Sequence, residues 1–176
     1  DEEVLQNYNV TKTKFESKKY SIRFQRSSKI QSIPPKTYQY YKWYIFNSKY
    51  GEIYVQASEF RFYFNNTPFD MSSVSISLLD GHTTPPAEPV INLKDGSFYT
   101  KFLDYDFLSG GTNILFDFGQ PQLVNGYQWA TANDVVGRDP RNWILYGSDD
   151  SINWETLDEI SDYMATDSRY TYTCLL

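Results

Sequence analysis

Apolar and polar residues alternate in short runs along most of this chain, the period of a strand with one buried face. Tyr41, Trp43 and Ile45 share one phase, with Tyr40, Lys42 and Tyr44 on the more polar other. Ile114, Phe116 and Phe118 make a second run, ended by Gly119-Gln120-Pro121, and Tyr127, Trp129 and Thr131 a third. Val74 to Leu78 is a shorter one. Trp143 to Gly147 is apolar in both phases, which predicts a strand covered on both sides. Beyond the turn Gly147-Ser148-Asp149-Asp150-Ser151, Ile152 to Leu157 runs back with Trp154 as its anchor. Trp143 and Trp154 are therefore expected as core anchors on neighbouring strands. Near the C-terminus Tyr170, Tyr172, Cys174 and Leu176 alternate, so Cys174 is expected as a small buried hydrophobe.

One run breaks its own rule. Ile53, Val55 and Ala57 occupy odd positions, whereas Phe60, Phe62 and Phe64 occupy even ones. A strand cannot bury both sets on one face without an extra residue, so a β-bulge is expected at Ser58-Glu59. Turns are read at Asn47–Gly51 and Asn65–Asp70, with longer loops at Leu79–Lys94 and Asn133–Asn142. About eight short strands separated by turn signals, with no sustained helical period, predict an all-β, two-sheet sandwich of jelly-roll type.

The first 37 residues differ from the rest. They carry eight Lys and Arg against four Asp and Glu, a net +4, and the remainder is −10. Lys18 to Phe24 alternates Tyr20, Ile22 and Phe24 with polar positions and predicts one short strand. Pro34-Pro35 closes the stretch, because neither proline donates a ladder hydrogen bond. The division expected is a basic extended arm over 1–37 and one domain over 38–176. Such an arm either solvates itself and folds back, or docks on an acidic neighbour. Nucleic acid is not expected, because the basic groups are diluted and the body is acidic.

Composition narrows the function more than it identifies it. Aromatic residues make up 18% of the chain, mostly Tyr and Phe, as strands favour. No run of 18 apolar residues exists, so no transmembrane segment is expected. The acidic start reads as no signal peptide or as one already removed, and the single Cys174 excludes an internal disulfide. The triplets Asn9-Val10-Thr11 and Asn65-Asn66-Thr67 are glycan acceptors only in a secreted chain. Nucleophile-elbow, P-loop, zinc-protease and dinucleotide motifs are missing. A Cys174–His82 nucleophile pair and a glycosidase-like Asp104/Asp106 pair are conceivable, but a buried thiol and solvated acidic loops, such as Asp149/Asp150, explain these residues more simply. A non-catalytic protein is expected.

A resemblance adds to this reading. The run Ala130-Thr131-Ala132-Asn133-Asp134, followed by Arg138-Asp139-Pro140-Arg141-Asn142-Trp143 and on to Asp158, resembles the second half of a discoidin domain. These are also called coagulation-factor type C domains, of the galactose-binding-like group. Val55-Gln56-Ala57-Ser58-Glu59-Phe60 and Asn92 to Phe102, with its Asp95-Gly96 loop, match in the same order, so the likeness covers about 38–176. It implies a structural calcium ion held by Asp95, Thr100 and carbonyls between Asn92 and Ser97; a Glu often supplied by the family's last strand has no counterpart in RYTYTCLL. The alternative is that Asp95-Gly96 is only a turn. The likeness also implies ligand contacts from loops at one end of the sandwich. Candidates there are Asn47, Tyr50, His82 and Tyr105, with Phe69 and Tyr163 as further aromatics. Arg138 either clasps Asp139 or reaches a ligand. Members bind glycans, lipid headgroups or proteins, so a module recognising glycan or a protein surface is expected. The alternative is a structural subunit of a larger assembly, such as a shell or virion component, held by the basic arm. Location is unknown from the sequence, the two readings placing the chain at the cell exterior or surface, or within a large assembly.

Overall fold

The computed structural model describes residues 36–176. Residues 1–35 of the expected arm, with the Lys18–Phe24 strand and the Asn9 triplet, lie outside the described residues, whereas Lys36 and Thr37, read as the end of the arm, open the first strand of the domain. The described chain forms ten strands: β1 (Lys36–Ser48), β2 (Val55–Ala57), β3 (Glu59–Phe64), β4 (Thr67–Pro68), β5 (Ser75–Leu78), β6 (Phe102–Asp104), β7 (Thr112–Val124), β8 (Gly126–Ala130), β9 (Pro140–Ser148) and β10 (Glu155–Ile160). The larger sheet has the order β10-β9-β1-β7-β5, the smaller has β4-β3-β8, and β2 pairs with β6. All the pairings are antiparallel. Among the described residues the only helical pieces are short 3-10 turns, and no helix is long and apolar enough to cross a membrane.

The core lies between the two sheets, where the alternation placed it. From β1, Tyr41, Trp43 and Ile45 turn inward and are essentially fully buried. Trp43 meets Phe60 of β3 at 4.8 Å and Trp129 of β8 at 6.2 Å between ring centroids. Phe116 of β7 touches Phe60 and Phe62 at 4.9 and 5.1 Å. Each such ring contributes roughly 1.5–3 kcal/mol by leaving water, and tilted pairs add to that. The all-β sandwich expected from the alternation is the architecture found.

The break at Ser58 is a change of partner, not the bulge within one ladder expected at Ser58-Glu59. Val55–Ala57 pair with Phe102–Asp104, whereas Glu59–Tyr63 pair with Gly126–Ala130. Ser58 sits at the bend, its N–H bound to the Ala130 carbonyl at 2.9 Å and its hydroxyl to that of Thr131 at 3.0 Å. The chain thereby keeps Val55 and Ala57 buried, then Phe60 and Phe62.

Four expectations are corrected. Within the run Trp143–Tyr146 of β9, Trp143 and Leu145 are fully buried whereas Ile144 and Tyr146 are only partly buried, because the larger sheet is covered on one face. Trp154 is not a core anchor. It precedes β10, is half-buried, and lies under Lys42 at 4.6 Å. Gly147 belongs to β9 and not to the turn: a Cβ there would meet the Tyr38 ring at 2.5 Å, so only Gly admits that packing. Cys174 is exposed. The C-terminal stretch does zip onto β8, with Thr173 N–H on the Trp129 carbonyl at 2.9 Å and Leu176 N–H on that of Tyr127 at 3.0 Å. However, Thr173 takes the buried phase, which turns Cys174 outward.

Candidate functional site

Loops converge at the end of the sandwich remote from Lys36 and Leu176. The loop after β1 is fixed to the loop before β9 by its backbone. Lys49 N–H binds the Asp139 carbonyl at 2.8 Å and Tyr50 N–H that of Gly137 at 3.2 Å. Gly137 allows the close approach, because a Cβ there would lie 2.9 Å from Glu52 Cγ and the Glu52 side chain would have to move aside. The loop before β9 is held in turn by Lys101, whose buried ammonium donates to Gln56 Oε1 at 3.0 Å and to both Asp134 oxygens at 2.8 and 2.7 Å. A buried ammonium needs such a set of acceptors, since leaving it bare costs several kcal/mol.

This scaffold presents aromatic rings to solvent. Tyr50 is 62% exposed and Tyr105 47%, beside Ile53 at 50%. Tyr105 packs on Tyr54 at 5.1 Å, and the Arg138 guanidinium lies over the other partner of that pair, Tyr54, at 5.2 Å. Three of the sequence-derived residues, Tyr50, Tyr105 and Arg138, thus share one end. His82 stands beside them but is committed inward, its Nδ1 2.8 Å from Asp104 Oδ2. Asn47 is exposed opposite Asn142, on the last turn of the ladder before Tyr50. Phe69 and Tyr163 belong to the core margin instead. Tyr54 was missed, because it falls on the polar phase of the run Ile53–Ala57.

The clasp proposed for Arg138 and Asp139 is made by another residue. Arg169 grips fully buried Asp139 with Nη1 to Oδ1 at 2.9 Å and Nη2 to Oδ2 at 2.6 Å. Arg138 is stacked on Tyr54 and makes no ion pair among the described residues. Adjacent residues in a 3-10 turn point apart, so Asp139 takes its partner from thirty residues downstream. Asp104 is also fully buried, holding His82, the Thr112 hydroxyl and the Asp106 N–H. It therefore cannot flank a sugar with Asp106. Asp150 accepts from Ile152 N–H, Asn153 N–H and the Asn153 amide, which hold its carboxyl well below the usual range and close the β9–β10 turn.

The Asp95 loop makes a second cluster. Asp95 Oδ1 accepts from Ser97 N–H at 2.8 Å and Oδ2 from the Thr100 hydroxyl at 2.6 Å. That hydroxyl also lies 3.0 Å from the Ser97 carbonyl oxygen. Glu59 was not foreseen here. It is 2% exposed, its Oε1 has no hydrogen-bond partner, and it shares with Asp95 a cleft of about 340 Å³ also lined by Arg61 and Lys94. Burial, then the hydrogen bond and charge of Asp95, push the Glu59 carboxyl up to about 7 against the pull of Arg61 and the Gly96 N–H. Among the described residues no three or more His, Cys, Asp or Glu are grouped to hold a metal. A cation here would rest on two carboxylates, the Thr100 hydroxyl and the Ser97 carbonyl. These are the hard oxygen donors that calcium takes, and the orphaned Glu59 oxygen fits that group.

No family model matches the chain, and no curated protein or solved structure does.

Proposed function

We propose that this chain is a non-catalytic binding module of the discoidin, galactose-binding-like type, with jelly-roll connectivity. It takes a glycan on the Tyr50–Tyr54–Tyr105 surface. The observation that carries the reading is the exposed tyrosine cluster on mutually braced loops at one end of the sandwich. Aromatic faces offer C–H-rich sugar faces a flat apolar partner, and Arg138 supplies donors beside them. Asp95, Thr100 and Glu59 hold a structural calcium ion that stiffens the margin of the smaller sheet. A glycan array probed with the full chain tests the reading. Binding abolished by Tyr105→Ala supports it, and a blank array removes it.

The alternative, a subunit of a larger assembly, draws on the β10 edge. That strand has no partner on its outer side among the described residues and carries Glu159, together with Glu155, which pairs with Lys36, and Asp158, which accepts from the Tyr127 hydroxyl. An unpaired acidic edge suits an added basic strand. Native mass spectrometry at low and high salt separates this reading, since only an assembly of this kind loses mass as salt rises.

A further inference from the structure

His82 is the only histidine of the chain, and its ring is set among acids. Its side chain is 8% exposed, with Nδ1 2.8 Å from Asp104 Oδ2 and 3.6 Å from Asp80 Oδ1. Asp104 closes β6 and is held by the Thr112 hydroxyl from β7 and by Asp106 N–H at 2.8 Å. Asp106 binds back to the loop of His82, accepting the Thr83 N–H at 2.8 Å and the Thr83 hydroxyl at 2.6 Å. Asp80 accepts the Asn113 N–H at 2.7 Å. The ring is thus faced by Asp80 from its own loop, Asp104 from β6 and Asp106 from the turn beyond. Among the described residues none of the three acids pairs with a Lys or Arg. Among the described residues, a positive charge on His82 is the counter-charge paired with this group of carboxylates.

The same residues seat part of the candidate site. Tyr105 stands between Asp104 and Asp106 in the chain, and its N–H binds the Thr83 carbonyl at 3.2 Å. Its ring packs on Tyr54, which carries Arg138.

We propose that His82 is a proton-operated latch: its charged imidazole tightens the 79–89 loop onto β6, and loss of the proton loosens that loop and the seat of Tyr105. The link to ligand binding rests on the glycan reading above; the latch itself does not. Burial alone would lower the His82 pKa, but the hydrogen bond to Asp104 and the charges of Asp104, Asp80 and Asp106 outweigh it and raise the value. A raised value means that the folded latch prefers the proton. Its contribution is complete below the ordinary histidine pKa, about 6.5, and is lost as pH rises through the higher folded value. Histidine is suited to this, since modest surroundings move its charge across the neutral range.

Because there is one histidine, its imidazole resonance can be followed in the full chain without ambiguity. The expected midpoint lies above the ordinary value, and the Tyr105 amide titrates with the same midpoint. After the intrinsic pH dependence of exchange is divided out, Tyr105 amide protection falls about tenfold for each unit by which that midpoint is raised. His82→Gln abolishes this dependence while near-ultraviolet circular dichroism stays native. A midpoint at or below the ordinary value overturns the latch, as does an unchanged dependence in the variant. If the variant fails to fold, the coincidence of the two wild-type midpoints decides the matter. A glycan array probed well below and well above the midpoint separates the two claims. Blank arrays with coincident midpoints support the latch and remove the glycan reading, whereas equal binding at both pH values overturns control of the site.

Discussion

The indole N–H of Trp143 donates to the Tyr127 hydroxyl at 2.9 Å, and that hydroxyl donates to Asp158 Oδ2 at 2.7 Å. The relay runs from the core of β9 through β8 to β10, so it links both sheets. Burial pushes the Tyr127 hydroxyl far above its ordinary pKa, with the charge of Asp158 adding to the effect. Trp143→Ala removes the ring and the donor to that hydroxyl, which keeps its own bond to Asp158; a loss of about 3–5 kcal/mol is expected in chemical unfolding. Trp154→Ala removes only a half-buried ring, and about 1 kcal/mol is expected. Equal losses would refute the distinction between core and margin.

Arg169 and Asp139 give a second prediction. Arg169→Ala leaves a fully buried carboxylate without its fork, and a destabilisation of about 3–5 kcal/mol is expected. Replacing both residues by apolar ones of similar size should recover much of that loss, as a double-mutant cycle can show. Arg138→Ala should cost far less, because its guanidinium only stacks on Tyr54.

The Asp95 cluster predicts a dependence on cation. Calcium is expected to raise the melting temperature and chelator to lower it, with no such dependence in Asp95→Ala. Glu59→Gln keeps the shape but removes one of two facing carboxylates. It should raise the melting temperature in chelator and abolish the response to calcium. Superimposable melting curves with and without chelator in the wild type would exclude the cation.

The tyrosine surface predicts separation of binding from stability. Tyr50→Ala and Tyr105→Ala should abolish glycan retention while Tyr50→Ala shifts unfolding by no more than about 0.5 kcal/mol, since that ring is mostly in solvent. Affinity chromatography and urea unfolding on the same preparations check this.

Much of the fold was legible because strands advertise themselves locally. Tyr41, Trp43 and Ile45 need only their own alternation to name the buried face, and the phase change at Ser58 marked the place where the chain changes ladders. Trp154 misled because a tryptophan flanked by turn residues looks the same whether it enters the core or covers a lysine. Cys174 misled because Tyr170, with φ of 57°, breaks the stretch whose alternation set the phase. The site was legible in part. Tyr50, Tyr105 and Arg138 could be assigned to loops at one end, but the partner of Asp139 and the approach of Glu59 to Asp95 are fixed by tertiary packing. Sequence spacing does not encode such long-range pairs.

Trp43, Trp129 and Trp143 lie 5.8–6.3 Å apart with crossed ring planes in two of the three pairs. Indoles that close share their excited states, so the three act as one chromophore with coupled near-ultraviolet transitions. Trp154 stands apart as the outer emitter. The protein thus carries two optical reporters, one for the integrity of the sandwich and one for the surface where Lys42 covers an indole.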